Sequence, residues 1–222
     1  MNSFSVDHLI LNDVGLIEKE KIMSSTQDHV FANPLPAGLG ALAMACFGFF
    51  ALLSGKVTHD AAPILAAWLI GGFFVQMVVA IIEFRDKNLP GANVFLVFSA
   101  IFMLTGALSV SAKYFLHKAG MPFDATIEGW LWLAITLWIC IVLPCFLKSP
   151  KILFILGSLL CVALFCLISL DFGVVAGRAA IAKTGAYALL IAGCLAIYLA
   201  GAISLNTHFG RQILPITTPF IK

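Results

Sequence analysis

Apolar residues in this chain come in long unbroken stretches, not in the one-sided pattern of a soluble helix. Six of them, Leu35–Gly55, Ala61–Ile82, Ala92–Ala112, Gly129–Leu147, Ile152–Leu170 and Thr184–Asn206, contain no Asp, Glu, Lys or Arg. Each has about the twenty residues an α-helix needs to cross a bilayer core. A soluble protein would need polar faces on such helices, and these have almost none. Backbone amides in lipid must be satisfied within the segment, so the spans are expected to be helices rather than open strands. The pattern predicts an all-α integral membrane protein: a six-helix transmembrane domain over 34–206, a polar tail over 1–33 and a second tail over 207–222.

Composition agrees, with 61% hydrophobic and 11% charged residues and a mean hydropathy of +1.04. A net charge of +2 is too small to point to nucleic acid as a partner. The N-terminal tail lacks the charged-then-apolar order of a secretory signal peptide and is expected to remain attached. Within it, Val14–Ser25 reads either as a short amphipathic surface helix or as disorder. With six spans both termini lie on one side. That side carries eight Lys and Arg, including Arg85, Lys87, Lys148 and Lys151, against five on the other. Short basic loops face the cytoplasm, so both termini are expected on the cytoplasmic face of the cell (inner) membrane.

Candidate chemistry narrows the function classes. No hydrolase elbow, Walker loop, dinucleotide glycine loop or zinc-binding His pair is present. The six cysteines all fall inside the apolar stretches and read as small packing residues. The five histidines are scattered over loops and tails without metal-ligand spacing. No enzyme, metal site or cofactor is expected, which leaves transport, conduction, sensing or scaffolding.

Several local signals stand out. Asn33-Pro34-Leu35-Pro36-Ala37-Gly38-Leu39 opens the first span. The prolines block helix ahead of Pro36, which then suits a first helical position, and Asn33 can cap it. Such a helix start offers amides and a positive dipole end to an anion; it is equally a capped start with small residues for packing. Gln76 is the one amide side chain deep in a span, and burying it in hydrocarbon is costly. It either ties helices together or lines a pore. The third span carries Asn93, Ser99, Thr105, Ser109 and Ser111, whose hydroxyls face a path or bond back to their own helix. Glu83, just before Arg85, is expected to reach the interface or pair with Arg85, with a proton relay as the other reading. Thr184, Ala188, Ala192, Ala196, Ala200 and Ser204 form a small-residue stripe, matched by Ala37, Ala41 and Ala45 on the first span. Such faces let helices approach closely, within a protomer or between protomers.

These residues resemble a known family. The Asn33–Leu39 segment is similar to the Asn-Pro-Ala-Pro-Leu-Gly-Leu signature of the succinate–acetate permease family, also called the acetate uptake transporter family. Gly71-Gly72, Gln76 and Glu83 follow in the second span. Ala196-Ile197-Tyr198-Leu199-Ala200, Asn206, Phe209-Gly210-Arg211 and Leu214-Pro215-Ile216 close the chain in the family's order. The resemblance covers about Ala32 to Ile216. It implies six helices per protomer, a conduction path through each protomer, and hexamers around a lipid-filled centre. It also implies acetate as cargo, and succinate for some members, moved as through a channel or with protons. The family's path narrows at a Phe, a Tyr and a Leu, whose positions fall at Leu42, Phe98 and Leu160. Only the last keeps the family's residue, yet all three are apolar. A Thr pair in the family's first span is replaced by Ala45 and Cys46.

Residues and resemblance meet on one expected mechanism. A small carboxylate is drawn to Asn33, Pro34, Pro36, Gly38 and Leu39, meets Gln76, Ser99 and Thr105, and passes an apolar ring of Leu42, Phe98 and Leu160. No buried Lys or Arg traps the anion. Passage is expected to be channel-like or coupled through a co-moving protonated acid. The rival readings are another small solute such as ammonium, and a non-conducting sensor or scaffold.

Overall fold

The computed structural model describes residues 32–221, so the segment Val14–Ser25 lies outside the described residues. The chain divides into two units, Met1–Asn33 and Pro34–Lys222, and the fold that follows is that of the second. Six helical spans run Leu35–Leu53, His59–Arg85, Leu89–Lys118, Thr126–Lys148, Lys151–Asp171 and Arg178–Phe209. The all-α six-span bundle expected from the apolar stretches is the fold observed. Five spans overrun their stretches at both ends. They carry Glu83, Lys113, Glu128 and Asp171 into helix, where the uncharged stretches had left them outside. The sixth span, at 32 residues, is about 48 Å long by helix rise, longer than a bilayer core.

Proline and asparagine set the starts and stops. Pro34, one residue past Asn33, is the N-cap residue of the first span. The third span is capped by Asn88, whose Oδ1 accepts from the Gly91 amide, with Pro90 in the first turn where no donor is needed. Pro144 ends the α-helical part of the fourth span at Val142, and a tighter turn carries it to Lys148. Proline there removes an amide donor and clashes with the carbonyl one turn back.

Packing runs around the bundle. The third span packs on the second, the second on the first, the first on the sixth, the sixth on the fifth and the fifth on the fourth. Phe102 and Trp132, with ring centroids 5.1 Å apart, bring the third and fourth spans together. The seam of first and sixth spans is built from small residues. Ala192 and Ala196 are fully buried, and Ala188 nearly so. Gly193 has no side chain because a Cβ there would sit 2.9 Å from the Phe47 ring. Lipid offers no hydrophobic drive between helices, so this close fit supplies dispersion contacts instead. The Ala188–Ala196 stripe thus packs inside the protomer, an answer the spacing alone left open.

The tail after the sixth span folds back on the bundle. Gly210 turns the chain at a φ of 61°. Asn206 Oδ1 accepts from the amides of Ile213 and Leu214, and its Nδ2 donates to the Leu214 carbonyl. Tyr198 donates its hydroxyl to the Pro215 carbonyl. The free amide of Ile152, in the first turn of the fifth span, donates to Thr217, satisfying a donor that has no partner within the helix. The motif residues at this end of the chain therefore serve to fasten the tail.

Candidate functional site

Two internal cavities occupy the bundle. The larger, about 770 Å³, opens toward the loops between first and second, third and fourth, and fifth and sixth spans. The smaller, about 380 Å³, lies toward the opposite loops, at Asn88 and Lys148–Pro150. Among the described residues Leu42, Phe98 and Leu160 line both, and no other does. All three are buried, at 8%, 6% and 7% exposure. They sit seven to nine residues in from the inner ends of the first, third and fifth spans, about 10–14 Å by helix rise. The larger cavity is called outer and the smaller inner below.

The third span owes its shape at this point to its backbone. Phe98–Thr105 is wound as π-helix between two α-helical parts, a form that occurs mostly in single turns and often at functional sites. Phe98 stacks on Phe102 with centroids 4.3 Å apart, and Phe102 meets Trp132. An aromatic run thus crosses from the junction of the cavities to the fourth span. Trp132 lines the outer cavity, whereas Trp130 is exposed against Phe172, as an aromatic at a membrane interface would be.

The inner cavity carries the most unusual polar group. Gln76 is 1% exposed. Its Nε2 donates to the Gly38 carbonyl at 3.4 Å, and its Oε1 has no hydrogen-bond donor. Gly38 lies one turn before Leu42. Its missing side chain admits the Phe95 ring, which would overlap any Cβ. Three spans therefore converge on Gly38. Glu83 lines the same cavity, is 6% exposed, and accepts from Asn88 Nδ2. Of the alternatives the sequence left for Glu83, a side chain reaching for the interface does not fit its burial beside the cavity.

The outer cavity is walled by charge. Lys113 Nζ lies 2.6 Å from Glu128 and 3.5 Å from Asp171, and Ser109 donates its hydroxyl to Glu128. Near the rim, Lys118 pairs with Asp60 at 2.9 Å, and Tyr114 donates to the same carboxylate. In the adjoining loop Asp124 takes bonds from the Thr126 hydroxyl and amide, which hold its carboxyl below the usual range. Of these residues only Ser109 stood out in the sequence, among the third-span hydroxyls, and its partner is neither its own helix nor a solute but Glu128. The cluster's signal in the sequence was weak. Ser109 and Lys113 share a helix face at a spacing of four, but their partners stand on other spans.

The remaining expected residues divide clearly. Leu39 lines the inner cavity with Gln76. Ser99 is buried but gives its hydroxyl to the Phe73 carbonyl at 3.0 Å, tying second span to third. Thr105 is exposed and donates back to the Ala100 carbonyl. Neither lines either of these two cavities. Pro34 and Pro36 shape the start of the first span without lining a cavity. Asn33 is exposed and belongs to the preceding unit. At this helix start the Pro34 carbonyl takes the amides of Ala37 and Gly38.

Fold and cavities define a six-span integral membrane protein with two internal chambers meeting at three apolar side chains. The chain belongs to the GPR1/FUN34/yaaH family, whose model matches residues 17–217. The succinate-acetate/proton symporter SatP of Escherichia coli strain K12 is 32% identical over 196 residues, covering 83% of this chain and 95% of that protein. The protein of the same name from Shigella flexneri matches equally. The solved structure of the bacterial acetate channel SatP superposes with a TM-score of 0.70 at 28% identity, covering 84% of this chain and 99% of that one. The resemblance read from the motifs is thus to the family the chain belongs to.

Proposed function

We propose that the chain carries small monocarboxylates such as acetate across a membrane, through the two cavities of each protomer. One observation carries this reading: among the described residues the chambers share only Leu42, Phe98 and Leu160 as lining. Such a neck divides a through path into two vestibules. Water in an apolar throat loses hydrogen bonds, so the neck is the main barrier to an ion. The relatives named as an acetate channel and a succinate-acetate/proton symporter support the choice of cargo. The test is acetate flux in proteoliposomes. Phe98→Ala should raise it about tenfold, equivalent to about 1.4 kcal/mol of barrier. Flux unaffected by the change would leave the neck without a role.

A second reading, ammonium passage, gains one observation. Glu83 lines the inner cavity, and the Phe98, Phe102 and Trp132 rings are faces that attract cations. At the outer end Lys113 offsets much of the carboxylate charge, which favours the monocarboxylate reading. Ammonium flux exceeding acetate flux in the same vesicles would reverse the order. Both termini are assigned to the cytoplasm on the basic-residue bias, and impermeant labelling of a cysteine placed at Lys87 reads the side. Protomers are assigned to hexamers on the family's example, and native mass spectrometry reads the number. The exposed apolar face of the second span, at Ile64, Trp68, Val78 and Ile81, is compatible with lipid or a neighbouring copy.

A further inference from the structure

The outer cavity is far larger than acetate requires. Resting on the functional reading, we propose that it is also a binding site for medium-chain alkyl carboxylates such as octanoate, with the head at Arg178 and the tail toward the neck. Acetate has four heavy atoms; at about 30 Å³ each, a water's share of the liquid, it fills about a sixth of the 770 Å³. A cavity of this size, apolar and aromatic for most of its lining with a few polar groups at one end, suits a ligand several times larger. Phe49, Leu53, Phe102, Trp132, Leu164 and Leu167 form the apolar wall. Acetate leaves most of that wall bare, whereas an alkyl tail covers it. Gly106 adds to the room. It is buried, helical and on the cavity lining, where glycine weakens the helix. Packing does not demand it, since a Cβ would meet nothing nearer than the Ile101 carbonyl at 3.9 Å.

Charge at the rim decides the head. The lining carboxylates are Asp60, Glu128 and Asp171, and each stands in an ion pair, with Lys118 or Lys113. A cationic head therefore finds no free partner. Among the described residues, Arg178 is the one lining Lys or Arg without a carboxylate. It gives one N–H to the Leu170 carbonyl, which fixes its position and leaves its other donors to a ligand. A guanidinium offers a carboxylate two parallel bonds. From Leu170 beside this head site to Leu160 at the neck, the fifth span rises about 15 Å, a depth the tail can follow along the apolar wall. Leu42, Phe98 and Leu160 close the far end, so a seated chain fills the vestibule that acetate would use.

Equilibrium dialysis of labelled butyrate, hexanoate and octanoate against the full-length protein in lipid nanodiscs, less the uptake by empty nanodiscs, reads the site without transport. Affinity should rise about fourfold per methylene and saturate at one octanoate per chain. Octanol, which has the tail without the carboxylate, should bind about tenfold more weakly than octanoate. Arg178→Gln should erase that difference. Gly106→Leu should cut octanoate affinity about tenfold and butyrate affinity less than twofold, because it takes the room of the tail. A native series no steeper than that of empty nanodiscs, or native binding kept in both variants, overturns the inference. In proteoliposomes saturating octanoate should lower acetate flux at least fivefold. Acetate flux untouched by bound octanoate would put the chamber off the path and defeat the functional reading instead.

Discussion

The outer and inner cavities solve the problem of polar groups inside a membrane protein in opposite ways. In the outer one, each carboxylate has a cation: Lys113 lies between Glu128 and Asp171, and Lys118 holds Asp60. In the inner one, Glu83 has only the amide of Asn88, and Gln76 a long bond to the Gly38 carbonyl. Firmly paired groups hold structure; a loosely held one is available to a solute. The outer charges should therefore matter to stability first, and the inner amide to transport first.

The largest effect should follow from breaking the outer cluster. Lys113→Met leaves two carboxylates facing each other without their cation. A fully buried pair broken this way costs 3–5 kcal/mol, and because Lys113 keeps a third of its exposure the loss should be about 2 kcal/mol. Thermal unfolding in detergent measures it. Adding Glu128→Gln should recover part of the loss, and a stable single variant would show the cluster to be ornamental. Next comes Gln76→Leu. It removes a long 3.4 Å bond, so stability should move by no more than about 1 kcal/mol while acetate flux falls clearly. A variant that unfolds with unchanged flux per folded molecule would make Gln76 a tie between helices. The smallest effect should be that of Thr105→Val. Its hydroxyl bonds its own helix on the exposed face, so flux should stay at the native level and stability within about 0.5 kcal/mol.

The same contrast explains what could be read before any coordinates. The six spans were legible because uncharged stretches of bilayer length admit no other fold. Gln76 was legible because an amide in hydrocarbon stands out. Leu42, Phe98 and Leu160 were reached only through the family pattern, since nothing in three scattered apolar residues marks them as neighbours. The outer cluster was not legible. Lys113, Glu128 and Asp171 lie on three spans, and each alone looks like a residue at a membrane surface. Ser99 and Thr105 give their hydroxyls to backbone carbonyls for a local reason. A hydroxyl in a span is as readily spent on a backbone carbonyl as on a solute, and the winding of Phe98–Thr105 as π-helix, which turns Thr105 to the exposed face, has no signature in the residue types.

The central claim is that two vestibules are parted by one apolar neck, and sidedness of access tests it most directly. In a background with the native cysteines replaced, Val110→Cys would report the outer cavity and Leu39→Cys the inner one. A charged, membrane-impermeant thiol reagent should modify each from one face only, and from opposite faces. Adding Phe98→Ala should let it reach both positions from either side. Modification of both from the same face with Phe98 intact, or one-sided access that persists in Phe98→Ala, would contradict the account.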